Sequence, residues 1–292
     1  MPPMKFALLI ALIVLAAYYL IVFVRAIGKS RSRKGDWIPS PHQALIGFVT
    51  NFFDSLGIGN FAPTTVWFRT SKMVPDELIP GTMNVGHSLP VMLMGLLFIQ
   101  SVEVEPLTLI SMIVASIVGA WFGAGRVAKL PRAQVQLGMG IALLLAALFM
   151  GGFQVLGKPS GAEALALEGM TLIAGCVGIA ILGALMTIGV GLYAPCMVLV
   201  SLLGMNPIAA FPIMMGACAF LMPVASTRFL RDEACALRPS LGLTIGGLPG
   251  VLIAVLIVKS LPLDTLRWLV VVVVFITGLA MLRAAMRSRT AN

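Results

Sequence analysis

The chain has 292 residues, of which 59% are hydrophobic and 11% are charged, and its mean hydropathy is +1.03. A soluble domain is typically about 25% charged, so this composition excludes a soluble globular protein and predicts a polytopic membrane protein. The formal net charge is +9, but the basic residues stand at the ends of apolar runs, which indicates membrane topology and not nucleic-acid binding. Two histidines, and four cysteines without a Cys-x-x-Cys pair, predict no metal site and no cofactor.

Apolar runs of spanning length follow one another along the chain. The first, Lys5 to Val24, is followed by basic residues at 25–34, whereas a signal peptide carries its charge before the apolar run. We therefore expect a retained helix with its N-terminus outside and the basic cluster in the cytoplasm. Further spans are predicted at Ile79–Gln100, Leu107–Gly125, Ala133–Phe153, Pro207–Thr227, Leu241–Val258 and Leu266–Leu282.

Two other apolar runs are interrupted by a related motif, at Gly57–Pro63 and at Gly189–Pro195, with a spacing of 195 − 63 = 132 residues. Glycine weakens a helix by roughly 1 kcal/mol and proline removes a backbone donor, so each motif predicts a broken helix. In lipid, broken backbone is tolerated only where protein buries it or where it lines a cavity. Paired breaks in corresponding halves point to the binding site of a transporter.

The charges around the broken segments predict that each enters and leaves on one side of the membrane. Gln43–Phe68 lies between the basic cluster and Arg69, so we expect a re-entrant hairpin. Its first arm has about 14 residues, or about 21 Å of helix, which does not cross the bilayer. Met170–Leu203 repeats the plan from the opposite face. In the alternative, both segments cross fully and the repeats are parallel; the positions of the basic residues disfavour it.

The predicted fold is an all-α polytopic membrane protein with two inverted-topology repeats. Each repeat has a broken re-entrant helical hairpin and three transmembrane helices, and one extra N-terminal transmembrane helix precedes them. The predicted divisions are an N-terminal helix with a basic loop (1–35), a first repeat (36–155), a linker (156–169) and an inverted second repeat (170–292). The C-terminus is expected in the cytoplasm.

The half-helix that follows each break is a candidate anion site. Proline is favoured at a helix start, so we expect new helices to begin at Pro63 and Pro195. A helix start offers free N–H groups and the positive end of the dipole, and two of them entering from opposite faces would meet around one small anion. Alternatively, the glycines only allow close packing and the threonine hydroxyls bond back along the helix. The predicted substrate-binding residues are Gly57, Gly59, Asn60, Thr64, Thr65, Asn84, His87, Gly189, Gly191, Tyr193 and Cys196.

Two ionisable side chains fall at predicted membrane depth. Asp54 precedes the first break, where a carboxylate costs at least ~2.5 kcal/mol on insertion scales, so it is a candidate proton-coupling or gating residue. The alternative is that Asp54 caps the broken helix and never titrates. His87 either binds the anion or relays protons, or it is a buried, neutral, hydrogen-bonded histidine.

The segments Phe53–Thr65 and Pro80–His87, with the two Gly-x-Gly…Pro motifs, resemble the TauE/SafE sulfite exporter family. The resemblance implies a permease of the bacterial inner membrane that moves sulfur-containing anions, such as sulfite or an organosulfonate, outward and with the proton gradient. The expected partners are a small anionic substrate and the lipid bilayer, with no nucleic acid. An anion channel stays open as an alternative. From another class, so does an intramembrane enzyme that would use Cys196, His87 and Asp54, although we expect no enzyme.

Overall fold

The computed structural model describes residues 3–31, 38–127, 164–186, 192–260 and 263–290, together with short helical pieces between 137 and 155. These residues form helices and turns, with one isolated bridge between Ala164 and Met205, which confirms the all-α class. The helices are α1 (Pro3–Arg31), α2 (Pro41–Ser55), α3 (Phe61–Ser71), α4 (Ile79–Ser101), α5 (Pro106–Val127), α6 (Gly169–Met186), α7 (Tyr193–Leu202), α8 (Ala210–Arg231), α9 (Leu237–Ser260) and α10 (Leu263–Thr290). Two short 3-10 helices, Asp76–Leu78 and Pro207–Ala209, precede α4 and α8.

Within the described residues, five helices are long and apolar enough to cross a membrane, which confirms a multi-pass α-helical membrane protein. The candidate spans are Lys5–Lys29, Ile79–Gln100, Gly169–Met186, Ala210–Arg231 and Leu237–Ile257. Shorter apolar helices lie at Pro106–Phe122, Tyr193–Leu202 and Val271–Met286. Most of the predicted span Ala133–Phe153, and the linker residues 156–163, lie outside the described residues.

The first predicted break is present: α2 ends at Ser55 and α3 begins at Phe61. Gly57 and Gly59 have φ values of 93° and 87°, which residues with a Cβ rarely adopt, so the turn requires both glycines. The new helix begins two residues earlier than expected, with Pro63 as its third residue. Proline is tolerated there because the N–H groups of a first helical turn have no acceptor within the helix.

α2 and α3 fold back on each other as a hairpin. The ring nitrogen of Trp67, near the end of α3, donates to Nε2 of His42, at the start of α2, over 3.0 Å. The 15 residues of α2 and the 11 of α3 correspond to about 22 Å and about 16 Å of helix. Ser40 and Gln43 form a reciprocal capping box at the start of α2, so the outer end of the hairpin is locally fixed.

Proline at position 90 removes one backbone hydrogen bond from the interior of α4. Because Pro90 has no N–H, the carbonyl of Gly86 loses its helical donor, and the hydroxyl of Thr244 in α9 donates to it over 2.8 Å. One residue earlier, the hydroxyl of Tyr19 in α1 donates to the carbonyl of Val85 over 2.7 Å. The part of α4 just before Pro90 is therefore hydrogen-bonded both to α9 and to α1.

The chain divides into two compact units, and the first comprises residues 1–101 and 218–259. In this unit α9 packs closely on α2 through glycines. A Cβ at Gly246 would collide with the carbonyl oxygen of Ala44, and one at Gly250 would collide with that of Phe48. The first arm of the hairpin is thus held against the backbone of α9, a helix from the second half of the sequence.

The second unit comprises residues 102–217 and 260–292. Here α5 packs on α6, where a Cβ at Gly119 would collide with the backbone of Ala180. α6 also runs against α7, because a Cβ at Gly178 would lie 2.8 Å from the side chain of Leu199. Each unit therefore contains the two helices of one predicted hairpin together with a long helix from the other half of the sequence.

α5 begins with a carboxylate cap at Glu105. The carboxylate accepts from the N–H of Leu107 over 2.8 Å and from the N–H and hydroxyl of Thr108 over 2.6 and 2.9 Å. Partial burial raises the pKa of Glu105, but these donors favour the charged form and together hold the pKa below its usual value. The backbone N–H of Glu105 in turn donates to the carbonyl of Leu165 over 2.9 Å, which fixes the loop that precedes α6.

Candidate functional site

The break of the first hairpin brings Asp54, the second-last residue of α2, next to Asn60, which precedes α3. Both side chains are buried, with 1% and 5% of their surface exposed. Nδ2 of Asn60 donates to Oδ2 of Asp54 over 2.9 Å. Among the described side chains, Asp54 is the only buried carboxylate. The amide of Asn60 therefore connects this carboxylate to the first turn of α3.

A closed set of hydrogen bonds continues from Asn60 through the hairpin to α4. Its second link is from Nδ2 of Asn60 to Oδ1 of Asn51, over 3.4 Å. Nδ2 of Asn51 lies 2.9 Å from Nδ1 of His87, whose Nε2 lies 3.1 Å from the hydroxyl of Thr64. That hydroxyl donates to the carbonyl of Asn60 over 2.7 Å. We call these five residues, Asp54 included, the hairpin circuit.

The hairpin circuit is surrounded by protein, since Asn51, Thr64 and His87 have no exposed surface. The ring of Phe61, the first residue of α3, lies 6.4 Å from the ring of His87. Glycine at position 247 of α9 leaves the space that the amide of Asn51 occupies, because a Cβ there would lie 2.5 Å from its Nδ2. Buried polar groups are costly unless they are hydrogen-bonded, and each of these side chains has a partner.

Comparison with known protein families identifies the chain. The family model described as "Sulfite exporter TauE/SafE" matches residues 1–150, just over half of the 292 residues. The chain belongs to the TauE/SafE family. TauE/SafE proteins are membrane transporters and not enzymes. The predicted family is confirmed, and the match includes the first of the two glycine–proline motifs. No curated protein and no solved structure matches the chain.

In this TauE/SafE chain the match includes the whole first hairpin, α4 and therefore the hairpin circuit. Of the predicted site residues, the structure brings together Asp54, Asn60, Thr64 and His87. Gly57 and Gly59 form the turn beside them.

Two other predicted residues of the first half are near the circuit in sequence but are not part of it. The hydroxyl of Thr65 donates to the carbonyl of Phe61 over 2.8 Å and contacts the sulfur of Met83 at 3.2 Å. The amide of Asn84 donates to the carbonyl of Pro80 over 2.9 Å, within its own helix. Both threonine hydroxyls of α3 therefore bond back along the helix, as the packing alternative expected, although that of Thr64 also contacts His87.

In the second hairpin the predicted residues Gly189 and Gly191 lie outside the described residues. Tyr193 and Cys196 lie in the first turn of α7 and are buried, with 6% and 0% of their surface exposed. α7 also begins two residues before the expected proline, with Pro195 as its third residue. The N–H of Cys196 makes the first helical bond, to the carbonyl of Leu192, over 2.9 Å.

Sequence reasoning missed Asn51, which links Asn60 to His87 within the circuit and also donates to the carbonyl of Gly47. A signal was present, because Asn51 precedes Asp54 by three residues and Ser55 by four. These positions lie on one face of a helix, so a polar stripe in an apolar run would have identified it.

Proposed function

We propose that this TauE/SafE protein is a secondary transporter that exports a small sulfur-containing anion, such as sulfite or an organosulfonate. The observation that carries the proposal is the break in the first hairpin, which ends α2 and starts α3 among buried polar side chains. The family match supports the substrate class, since the family is described as one of sulfite exporters.

In this proposal the anion binds at the N-terminal end of α3, beside Gly59 and Asn60. The N–H groups of the first turn have no acceptor within the helix, and the helix dipole places about half a positive charge there. Both features favour the oxygens of sulfite or of a sulfonate. The first turn of α7 offers the same chemistry in the second hairpin, at Tyr193.

The repeat architecture supports two such sites. Corresponding elements follow in the same order at nearly constant offsets: α3 begins at 61 and α7 at 193, a difference of 132. α4 begins at 79 and α8 at 210, and α5 begins at 106 and α9 at 237, each a difference of 131. We therefore propose two repeats of one hairpin and three spans each. An odd number of spans inverts the second repeat, with the N-terminus outside a bacterial inner membrane and the C-terminus in the cytoplasm.

Asp54 is the proposed site of proton coupling. It is the only described carboxylate that is buried, and ionisable groups inside a membrane are expensive to keep unless they serve a function. Through Asn60 its charge acts on the first turn of α3, where the substrate would bind. A negative carboxylate at this position opposes a bound anion, whereas a protonated one does not.

The test is flux into or out of vesicles that contain the purified protein, with sulfite, thiosulfate, taurine and sulfoacetate, with and without a proton gradient. We expect saturable flux of at least one anion that changes with the gradient. Flux that does not saturate would indicate a channel, and the absence of flux for all four compounds would overturn the substrate class.

Asp54→Asn should abolish the dependence on the proton gradient. The matched control is Asp232→Asn, because Asp232 is exposed and its ion pair among the described residues is with its neighbour Arg231. Undiminished transport with an unchanged pH dependence in Asp54→Asn would rule out the proposed proton role and would not affect the proposed anion site.

A further inference from the structure

The hydrogen bonds of the hairpin circuit permit one arrangement of protons. The hydroxyl of Thr64 has a single hydrogen, and the carbonyl of Asn60, four residues earlier, takes it over 2.7 Å. The same oxygen lies 3.1 Å from Nε2 of His87 and must then accept there. Nε2 of His87 therefore carries a hydrogen.

The other ring nitrogen of His87 faces a donor. Nδ2 of Asn51 has two hydrogens, of which one goes to the carbonyl of Gly47 over 2.7 Å and the other points to Nδ1 of His87, 2.9 Å away. Oδ1 of Asn51 is occupied from the opposite side by the amide of Asn60. Nδ1 of His87 therefore acts as an acceptor and carries no hydrogen.

A protonated or reversed imidazole does not fit this arrangement. A hydrogen on Nδ1 would require the amide of Asn51 to turn over. Its oxygen would then face the carbonyl of Gly47, and its nitrogen would face the donating amide of Asn60. The described contacts of the ring are otherwise Thr64 and the ring of Phe61, and none of them is charged.

We propose that Asn51 is the positioning residue that holds His87 uncharged with its hydrogen on Nε2, so that His87 fastens the hairpin to α4 and carries no proton in transport. Asp54 can gain a proton and still accept from the side-chain amide of Asn60, because that bond uses only one of its two oxygens. The titratable groups linked to His87 are Asp54, through Asn51 and Asn60, and Tyr19, whose hydroxyl binds the carbonyl of Val85 in α4. The role in transport rests on the proposed function; the tautomer does not.

Nitrogen NMR of the histidine-labelled protein in lipid bilayers tests the tautomer directly. The chain has only two histidines, so His42→Gln leaves the signals of His87 alone. We expect one bare and one protonated ring nitrogen, with the hydrogen on Nε2, from about pH 5 to about pH 8. A hydrogen on Nδ1, or a doubly protonated ring at neutral pH, would overturn the proposal, and this measurement needs no change to the circuit.

Asn51→Asp tests the positioning role. The new carboxylate presents an acceptor to Nδ1, so we expect the bare nitrogen of His87 to become protonated at neutral pH. The matched control is Asn206→Asp, where Oδ1 accepts from the N–H of Ile208 in its own turn and is not part of the circuit, and the spectrum should not change. A bare Nδ1 that persists in folded Asn51→Asp would contradict the role of Asn51.

His87→Gln separates a fastening role from a proton relay, because an amide offers both a donor group and an acceptor but does not titrate. The pH profile of transport should be retained in this variant, even if the rate falls. Loss of the pH dependence would show that His87 carries the proton. If none of the tested anions moves in the wild type, the proposed function fails, and the NMR result still decides the tautomer.

Discussion

Replacement of Gly247 by alanine should both destabilise the first unit and disturb the hairpin circuit. Gly247 lies in the middle of α9, and an added Cβ would lie 2.5 Å from Nδ2 of Asn51 and 2.6 Å from Cγ of Pro90. Ordinary contact begins at 3.4 Å, so the amide has to move by about 0.9 Å (3.4 − 2.5). A shift of that size takes its bonds to Gly47 and His87, now 2.7 and 2.9 Å, beyond hydrogen-bonding distance.

The size of the effect follows from three contributions. Two buried hydrogen bonds contribute about 1 kcal/mol each, and overpacking costs about 1–3 kcal/mol. Alanine regains about 1 kcal/mol of helix propensity relative to glycine. We therefore expect Gly247→Ala to lower the free energy of unfolding by roughly 2–4 kcal/mol and to reduce transport.

Reversible unfolding in mixed detergent micelles, followed by circular dichroism, measures this difference. The matched control is Gly28→Ala, because no described atom outside its own helix lies within 4 Å of a Cβ at that position of α1. The control gains the helix propensity without the collision and should be as stable as the wild type or more stable. The reasoning is refuted if Gly247→Ala unfolds with the same free energy as Gly28→Ala.

Three further variants test other contacts. Tyr19→Phe removes the hydrogen bond to the carbonyl of Val85 and should cost about 0.5–1.5 kcal/mol of unfolding free energy, whereas Tyr18→Phe, at a side chain that is 55% exposed, should cost nothing measurable. Glu105→Gln weakens the cap of α5. Burial raises the pKa of this carboxylate, but its donors outweigh burial and hold the pKa below its usual value. The extra unfolding free energy of the wild type should therefore be complete above about pH 4.5 and be lost as the pH falls through the lower pKa of the folded state, which unfolding at a series of pH values measures. Ser40→Ala removes the cap of α2 and should cost about 1 kcal/mol in the same unfolding assay; no loss would show that the capping box does not stabilise the hairpin.

The break in the first hairpin could be predicted from the sequence because its causes are local. Gly57 and Gly59 take positive φ values, which is a property of glycine itself, and the turn appears where the motif predicted it. The observed start of α3, at Phe61, is two residues before the predicted start at Pro63, because proline is tolerated anywhere in a first turn, where no N–H has a helical acceptor. Local chemistry therefore located the turn but not the register of the helix that follows it.

The partners of His87 could not be predicted in the same way. Its two ring nitrogens contact residues that are 36 and 23 positions away, and both partners lie on other helices than His87, so no helical periodicity connects them. From the sequence, three roles remain open for His87: anion ligand, proton relay, or buried neutral histidine. The choice depends on which amide and which hydroxyl the folded hairpin places beside the ring, and that is decided by tertiary packing.

The glycines of α9 show why the repeat pattern alone does not give the packing. A sequence repeat gives the order of the helices, but it does not say which hairpin each long helix packs against. By the proposed equivalence α9 corresponds to α5, yet α9 packs on α2 of the first half, and α5 packs on α6 of the second half. In each unit the close approach needs a glycine in one helix against the backbone of a helix from the other half, at Gly246 and at Gly119. Each described hairpin therefore packs closely against a helix from the other half of the sequence, so each unit needs both halves of the chain to be complete.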